Sequence, residues 1–137
     1  MIIRYKAGYK YQLVADMRQQ TKLRPLEDID SSGGFVTLDV KGVLHIRAGY
    51  AWDGPSGPTV DTKNFMRGSL VHDALYQLMR EGLLPRSYKE YADQLLKAIC
   101  LEDGMWRIRV WWVVKGLEIG GKAATLPENR KVIQTAP

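Results

Sequence analysis

One segment limits the possible folds more than any other, because apolar residues wrap most of a predicted helix from Asn64 to about Glu81. A helix that is apolar nearly all round is buried on most of its sides, so the pattern predicts a central helix. Asp61 or Thr62 can cap its first turn, and Gly82 is placed to end it.

Two further helices are predicted after the central one. Ser87 and Glu90 have the spacing of a capping box, which would open a second helix. The connection Leu83–Arg86 is short, so the first two helices should be antiparallel neighbours. The fifteen residues 105–119 favour a third helix, although the start of this segment also alternates like a strand.

The first sixty residues are typical of strands broken by turns. Phe35–Val40 alternates in polarity, and Lys41-Gly42 is predicted to form a hairpin turn into Val43–Ile46. Pro25–Gly34 is rich in Asp, Glu and Ser and is predicted to be a loop. We therefore expect an α+β fold, with a small N-terminal antiparallel β-sheet followed by about three packed α-helices.

Length and composition are those of one globular domain, with 137 residues, 45% hydrophobic and 26% charged. We expect a single domain over 1–137, mainly β in 1–60, mainly α in 61–121 and coil in 122–137. The single cysteine, Cys100, excludes a disulfide scaffold. The longest apolar run, Val110–Val114, is too short to span a membrane, and the first residues lack a signal peptide's apolar core, which predicts folding in the cytoplasm.

The formal net charge of +5 is unevenly placed, with +5 in residues 1–24, −4 in 25–104 and +4 in 105–137. The basic residues are interspersed and no nucleic-acid module is recognisable, so we do not expect a nucleic-acid partner. Tryptophans and basic residues alternate near the C-terminal end. They indicate either a helix lying on lipid or, as we favour, core packing: Trp106, Trp111 and Trp112 with Arg107, Arg109 and Lys115.

Polar residues that interrupt the apolar helix are informative, because burying them unpaired costs several kcal/mol or shifts their protonation. His72 and Asp73 interrupt it in this way, and adjacent helical residues point about 100° apart, so the pair can line two sides of one cavity. Tyr76 lies one turn beyond His72 on the same face. A buried structural histidine with both nitrogens satisfied explains the same pattern.

Asp93 lies on the flank of the second helix's apolar stripe, from which it would reach the first helix. A carboxylate there would orient the His72 imidazole, as the acid behind a general-base histidine does. If Asp93 is instead exposed, it has no such role.

A third group of polar atoms lies in Gly49–Pro58, where glycines and prolines impose an irregular backbone. Asp53 and Asp61 flank this loop, and together with Asp73 they offer hard oxygen ligands for Ca²⁺ or Mg²⁺, with Zn²⁺ a poorer fit. An Asp-Gly pair such as Asp53-Gly54 is also an ordinary turn.

The chain resembles a bacteriophage and prophage family of unknown function (domain-of-unknown-function family 1353). The resemblance is carried by Gly49–Pro58, by Arg67–Tyr76 and by Ala92-Asp93, and it extends over most of the chain. It implies a phage origin, synthesis in the host cytoplasm and a place in the virion as a further location. It implies no particular activity.

A local resemblance links the same residues to secreted phospholipases A2. In that family a helix carries His-Asp with Tyr three residues later, a Gly-rich loop upstream supplies carbonyls to Ca²⁺, and a second Asp orients the His. The resemblance implies catalytic roles for His72, Asp93 and Tyr76. It implies a metal ligand at Asp73, and loop positions that bind the ion at Tyr50, Gly54 and Gly57.

Two hypotheses follow. The first is a metal-assisted hydrolase of an ester or phosphoester, with host-envelope lipid as a natural substrate, His72 as general base, and Asp73 and Asp53 on a divalent cation. The second is a non-enzymatic virion or tail accessory protein, in which the same residues form a polar network that fixes two helices and the loop docks on virion or tail proteins.

Overall fold

The computed structural model describes residue 3 and residues 5–6, 11–52 and 63–120, with side chains for residues 3, 11–52 and 63–116. These residues fall in two units, an N-terminal unit of strands and a helical unit. The predicted fold class is confirmed: antiparallel sheets precede three helices, in an α+β fold. The single domain over 1–137 stays a prediction.

The N-terminal unit contains two antiparallel sheets. Its described residues form seven short strands: β1 (Tyr5–Lys6), β2 (Tyr11–Leu13), β3 (Met17–Gln20), β4 (Ile29–Asp30), β5 (Val36–Leu38), β6 (Val43–Ile46) and β7 (Ala51–Trp52). The strand order is β1-β2-β7 in one sheet and β3-β6-β5-β4 in the other. Alternate residues of β5 and β6 are buried, so one face of the larger sheet carries the apolar side chains.

The hairpin predicted at Lys41-Gly42 joins β5 to β6. The Asp39 carboxylate accepts hydrogen bonds at 2.9 Å from two backbone N–H groups of this turn. Gly42 has a φ of +84°, and a Cβ there would lie 2.4 Å from the carbonyl oxygen of Leu23. Only glycine fits this turn, because both the backbone angle and the close approach exclude a side chain.

One strand lies where the composition predicts a loop. β4, Ile29–Asp30, falls inside Pro25–Gly34 and pairs with β5, with Ile29 opposite Leu38. The prediction of a loop over the whole segment is wrong, because inter-strand hydrogen bonds hold these two residues extended despite the Asp- and Ser-rich composition.

The helical unit contains α1 (Lys63–Arg80), α2 (Lys89–Glu102) and α3 (Arg107–Gly120), with a 3₁₀ turn over Arg86–Tyr88. The three predicted helices are confirmed. Fifteen of the 18 residues of α1 are buried, as its apolar wrapping predicts. Its predicted caps, Asp61 and Thr62, lie outside the described residues.

The end of α1 is confirmed and the start of α2 is corrected. Gly82, with a φ of +74°, donates its N–H to the Met79 carbonyl, and the next N–H donates to the Leu78 carbonyl, which closes α1 in a Schellman motif. The capping box at Ser87 is wrong. Ser87 lies in the 3₁₀ turn, and Tyr88 precedes α2 without a side-chain capping bond.

α1 packs antiparallel to α2, as the short connection predicts. Tyr76, near the end of α1, contacts Asp93 near the start of α2. At the other end, the buried Arg67 guanidinium donates two hydrogen bonds of 3.0 Å to the carboxylate of Asp103. Such a bidentate contact fixes orientation as well as distance, so it sets the register of the two helices.

Gly68 on α1 faces Leu96 and Cys100 on α2. A Cβ at Gly68 would lie 2.7 Å from Leu96 Cδ1 and 2.9 Å from Cys100 Sγ. Side chains of all three helices and of Met105, between α2 and α3, form one apolar cluster: Phe65, Leu96, Cys100, Met105, Val110, Val113 and Val114.

We predict opposite effects of one substitution at two helical glycines. Gly116→Ala in α3, where nothing lies within 4 Å of the new methyl group, should raise the free energy of unfolding by up to about 1 kcal/mol. Gly68→Ala should lower it by about 1 kcal/mol, because overpacking costs roughly 1–3 kcal/mol and exceeds the same gain in helix propensity. Urea unfolding of both variants is the measurement. Equal stabilisation of both would contradict the close helix contact.

Candidate functional site

Helices α1 and α2 bring together three of the residues predicted to form a site. His72 and Tyr76 are one turn apart on α1, so they share a face, and their ring centroids are 3.9 Å apart. Asp93 lies opposite them on α2. The side chain predicted to reach across from the second helix therefore does so.

Three donors surround the Asp93 carboxylate. His72 Nε2 lies 2.7 Å from Oδ1, and the Tyr76 hydroxyl donates to the same oxygen at 2.6 Å. Lys89 Nζ donates to Oδ2 at 2.7 Å. Because a carboxylate is an acceptor only, His72 Nε2 carries the proton of this contact. In the neutral ring the lone pair is then on Nδ1.

The Asp93 carboxyl stays ionised although only 2% of its surface is exposed. Burial opposes ionisation, but hydrogen bonds from His72, Lys89 and Tyr76 outweigh it and hold the pKa of Asp93 below its ordinary value. Burial, and then the adjacent Asp93 charge, raise the pKa of the Tyr76 phenol far above its ordinary value. Tyr76 is therefore a fixed donor to Asp93.

His72 is buried, with 8% of its surface exposed. Among the described residues, the ring nitrogen that has a hydrogen-bond partner is Nε2. This contact holds the ring by Nε2. It is the arrangement of a histidine oriented by an acid.

The remaining predicted site residues are placed as follows. Asp73 is partly buried on α1, next to His72. Tyr50 is buried in the N-terminal unit. Asp53, Gly54 and Gly57, like Asp61, lie outside the described residues. Within the part of the chain that the structure describes, no three His, Cys, Asp or Glu side chains group as metal ligands.

Sequence reasoning missed Lys89. Its Nζ forms an ion pair with Asp93 four residues along α2. The signal was present, since residues four apart on a helix are neighbours and a Lys–Asp pair at that spacing is a standard contact.

The second histidine has a different setting. His45, on β6, lies 3.1 Å from Asp16 Oδ2, and the other oxygen of Asp16 accepts the Ala48 N–H at 2.8 Å. The Ala48 and His45 contacts lower the pKa of Asp16. This exposed pair joins β6 to a neighbouring segment of the same unit.

The core-packing interpretation of the C-terminal tryptophans is wrong. Trp106, Trp111 and Trp112 are all exposed, and α3 instead buries Val110, Val113 and Val114. These valines, and not the tryptophans, pack in the apolar cluster of the helical unit. No helix of the described residues is long and apolar enough to cross a membrane.

No family model matches this chain, and no curated protein and no solved structure matches it. The resemblances to the phage family and to the phospholipases therefore stay predictions.

We predict that Asp93→Asn lowers the free energy of unfolding by about 3 kcal/mol at pH 7. The reason is that His72, Tyr76 and Lys89 would lose the negative charge to which they donate in the buried site. The pKa of Asp93 is lower in the folded chain than the roughly 3.9 of an unfolded one. The contribution of the ionised Asp93 to the free energy of unfolding is therefore complete above about pH 5, and it is lost as the pH falls through the folded-state pKa. Urea unfolding at several pH values is the measurement. The difference in the free energy of unfolding between wild type and Asp93→Asn should become smaller below about pH 4.

Asp30→Asn is the matched control, because Asp30 is exposed on β4. It should change the stability by less than about 0.5 kcal/mol throughout. A wild-type advantage over Asp93→Asn that stays constant down to pH 2 would show that ionisation of Asp93 does not stabilise the fold.

Proposed function

We propose that the chain is a phage-encoded hydrolase of ester or phosphoester bonds that uses His72 as its general base. The observation that supports this most is the contact of 2.7 Å between His72 Nε2 and the ionised, buried Asp93. A base of this kind needs one nitrogen fixed and the other available. The phage origin is the part of the proposal that rests on the family resemblance alone.

The proposed reaction begins when His72 Nδ1 takes a proton from water and the water oxygen attacks the ester carbon or phosphorus. The imidazolium that forms is stabilised by Asp93 through Nε2–H, as in other histidine–carboxylate pairs. The proton then passes from Nδ1 to the departing alkoxide, and the neutral ring is restored. Tyr76 and Lys89 act through Asp93, since their hydrogen bonds hold its carboxylate in place.

A divalent cation belongs to this proposal, although no step above depends on it. Asp73 offers a hard oxygen ligand beside His72, which suits Ca²⁺ or Mg²⁺ better than Zn²⁺. The Asp73 carboxylate alone does not make a metal site, because Ca²⁺ and Mg²⁺ take several oxygen ligands. The further ligands proposed, Asp53 and the Gly54 to Gly57 loop, are outside the described residues.

The burial of His72 favours a second candidate, a non-enzymatic virion or tail accessory protein. In that case Asp93, with its three donors, is a polar network that specifies how α1 and α2 pack. Its partners would be virion or tail proteins, and no turnover would occur.

We predict that His72→Gln separates the two candidates. Glutamine can still donate a hydrogen bond to Asp93 but cannot act as a base. Hydrolysis of p-nitrophenyl esters and of bis(p-nitrophenyl) phosphate should fall by about 10²–10⁴-fold. The free energy of unfolding should fall by less than about 1.5 kcal/mol.

The control is His45→Gln, which removes a histidine of the strand unit and should leave hydrolysis unchanged. Equal hydrolysis by wild type and His72→Gln, or none by either, would reject the hydrolase. A loss of stability in His72→Gln without any wild-type turnover would favour the accessory protein.

We predict that Ca²⁺ or Mg²⁺ raises the melting temperature of EDTA-treated protein and that Asp73→Asn abolishes the rise. An ion at one hundred times its Kd adds about 2.7 kcal/mol, or roughly 5–10 °C for this size. Glu90→Gln, at an exposed position of α2, is the control and should keep the rise. An equal rise in Asp73→Asn would place the ion elsewhere, and no rise with any divalent cation would remove it from the proposal.

A further inference from the structure

The outer face of α3 and the residue just before it expose four large apolar side chains. The exposed fraction is 80% for Trp106, 68% for Ile108, 53% for Trp111 and 66% for Trp112. A contiguous patch of exposed apolar side chains on a small protein indicates a surface that binds another protein or a membrane. We call the three of these residues that lie on α3, Ile108, Trp111 and Trp112, the tryptophan face.

The helix places this face opposite its packed side. At about 100° per residue, Ile108, Trp111 and Trp112 fall within one arc of roughly 100°, and Val110 and Val113 point the other way into the apolar cluster. The buried valines anchor α3 to the helical unit. The tryptophan face therefore projects outward from a fixed support.

Basic residues border the same face. Arg107 is exposed on one flank and Arg109 lies on the other, and Lys115 Nζ lies 5.8 Å above the Trp111 ring. Residues 105–137 carry six basic and two acidic side chains. Long basic side chains can extend their charges to phosphates while their stems cover apolar surface.

We propose that the tryptophan face binds the surface of an anionic lipid bilayer, with α3 lying in the plane of the headgroups. Tryptophan is the side chain best suited to this interface, because its ring is apolar and its N–H can still donate to a polar group. Arg107 and Arg109 on the flanks, and Lys115 beside Trp111, supply the attraction to anionic headgroups. The inference does not depend on hydrolysis.

Charge decides between a bilayer and a second copy of this chain. A symmetric dimer through this face would bring Arg107, Arg109 and Lys115 of two chains together, each chain having a net charge of +5. Like charges at an interface oppose association, whereas an anionic bilayer neutralises them.

The test is binding of the full chain to two kinds of vesicle, phosphatidylcholine alone and phosphatidylcholine with phosphatidylglycerol. We expect flotation with the anionic vesicles, weaker at high salt, and a blue shift of tryptophan emission. Trp52 is buried, so its fluorescence should be a constant background in this measurement. Brominated lipid should quench the shifted emission.

Two variants test the two parts of the face. Trp111→Ala with Trp112→Ala should weaken binding to anionic vesicles by at least about tenfold. Arg107→Gln with Lys115→Gln should weaken it by roughly fivefold for each charge removed. Leu83→Ala, at an exposed position between α1 and α2, and Lys97→Gln, at an exposed position of α2, are the matched controls and should bind like wild type.

All these side chains are exposed, so the variants should fold, which their melting curves check. Wild type that binds neither vesicle, or a tryptophan variant that binds as well as wild type, would overturn the proposal. A dimer that sedimentation detects in wild type and not in the tryptophan variant, without vesicle binding, would assign the face to a second copy.

Discussion

The ionised carboxylate of Asp93 is the interaction on which the candidate site depends. It is buried between α1 and α2, and it accepts from His72, Tyr76 and Lys89. The hydrogen bond from each donor stabilises the fold only while Asp93 is ionised. The cost of burying that charge is offset only while the donors are in place. The site and the packing of two helices therefore share one set of contacts, so a substitution at Asp93 affects both the chemistry proposed for His72 and the stability of the helix pair.

Much of the fold is readable from local patterns, and the exceptions have identifiable causes. The apolar wrapping of α1 predicts its burial, and Gly82 predicts its end, because both depend on neighbours in the sequence. The capping box predicted at Ser87 is wrong because the chain enters α2 through a 3₁₀ turn, which the same residues also permit. The prediction of a loop at β4 is wrong because composition does not report strand pairing, and pairing with β5 holds Ile29 and Asp30 extended.

Part of the candidate site is predictable because helical periodicity can be read from the sequence. His72, Tyr76 and Asp93 stood out as polar residues on faces that pack, and helical geometry brings them together. Lys89 is not predictable as part of the site from composition, because a charged residue at a helix start has an ordinary surface role. Core packing of the α3 tryptophans is a wrong prediction because periodicity identifies an apolar face but not what covers it, and valines occupy the core instead.

The contact of Cys100 with Gly68 has a practical consequence. Cys100 is the single thiol of the chain, it is buried, and its sulfur would lie within 2.9 Å of a methyl group at Gly68. Burial, and then the Asp103 charge, raise its pKa to about 12, so the reactive thiolate is scarce in the folded state. The rate at which a thiol reagent labels Cys100 therefore measures how often the packing of α1, α2 and α3 around this thiol opens.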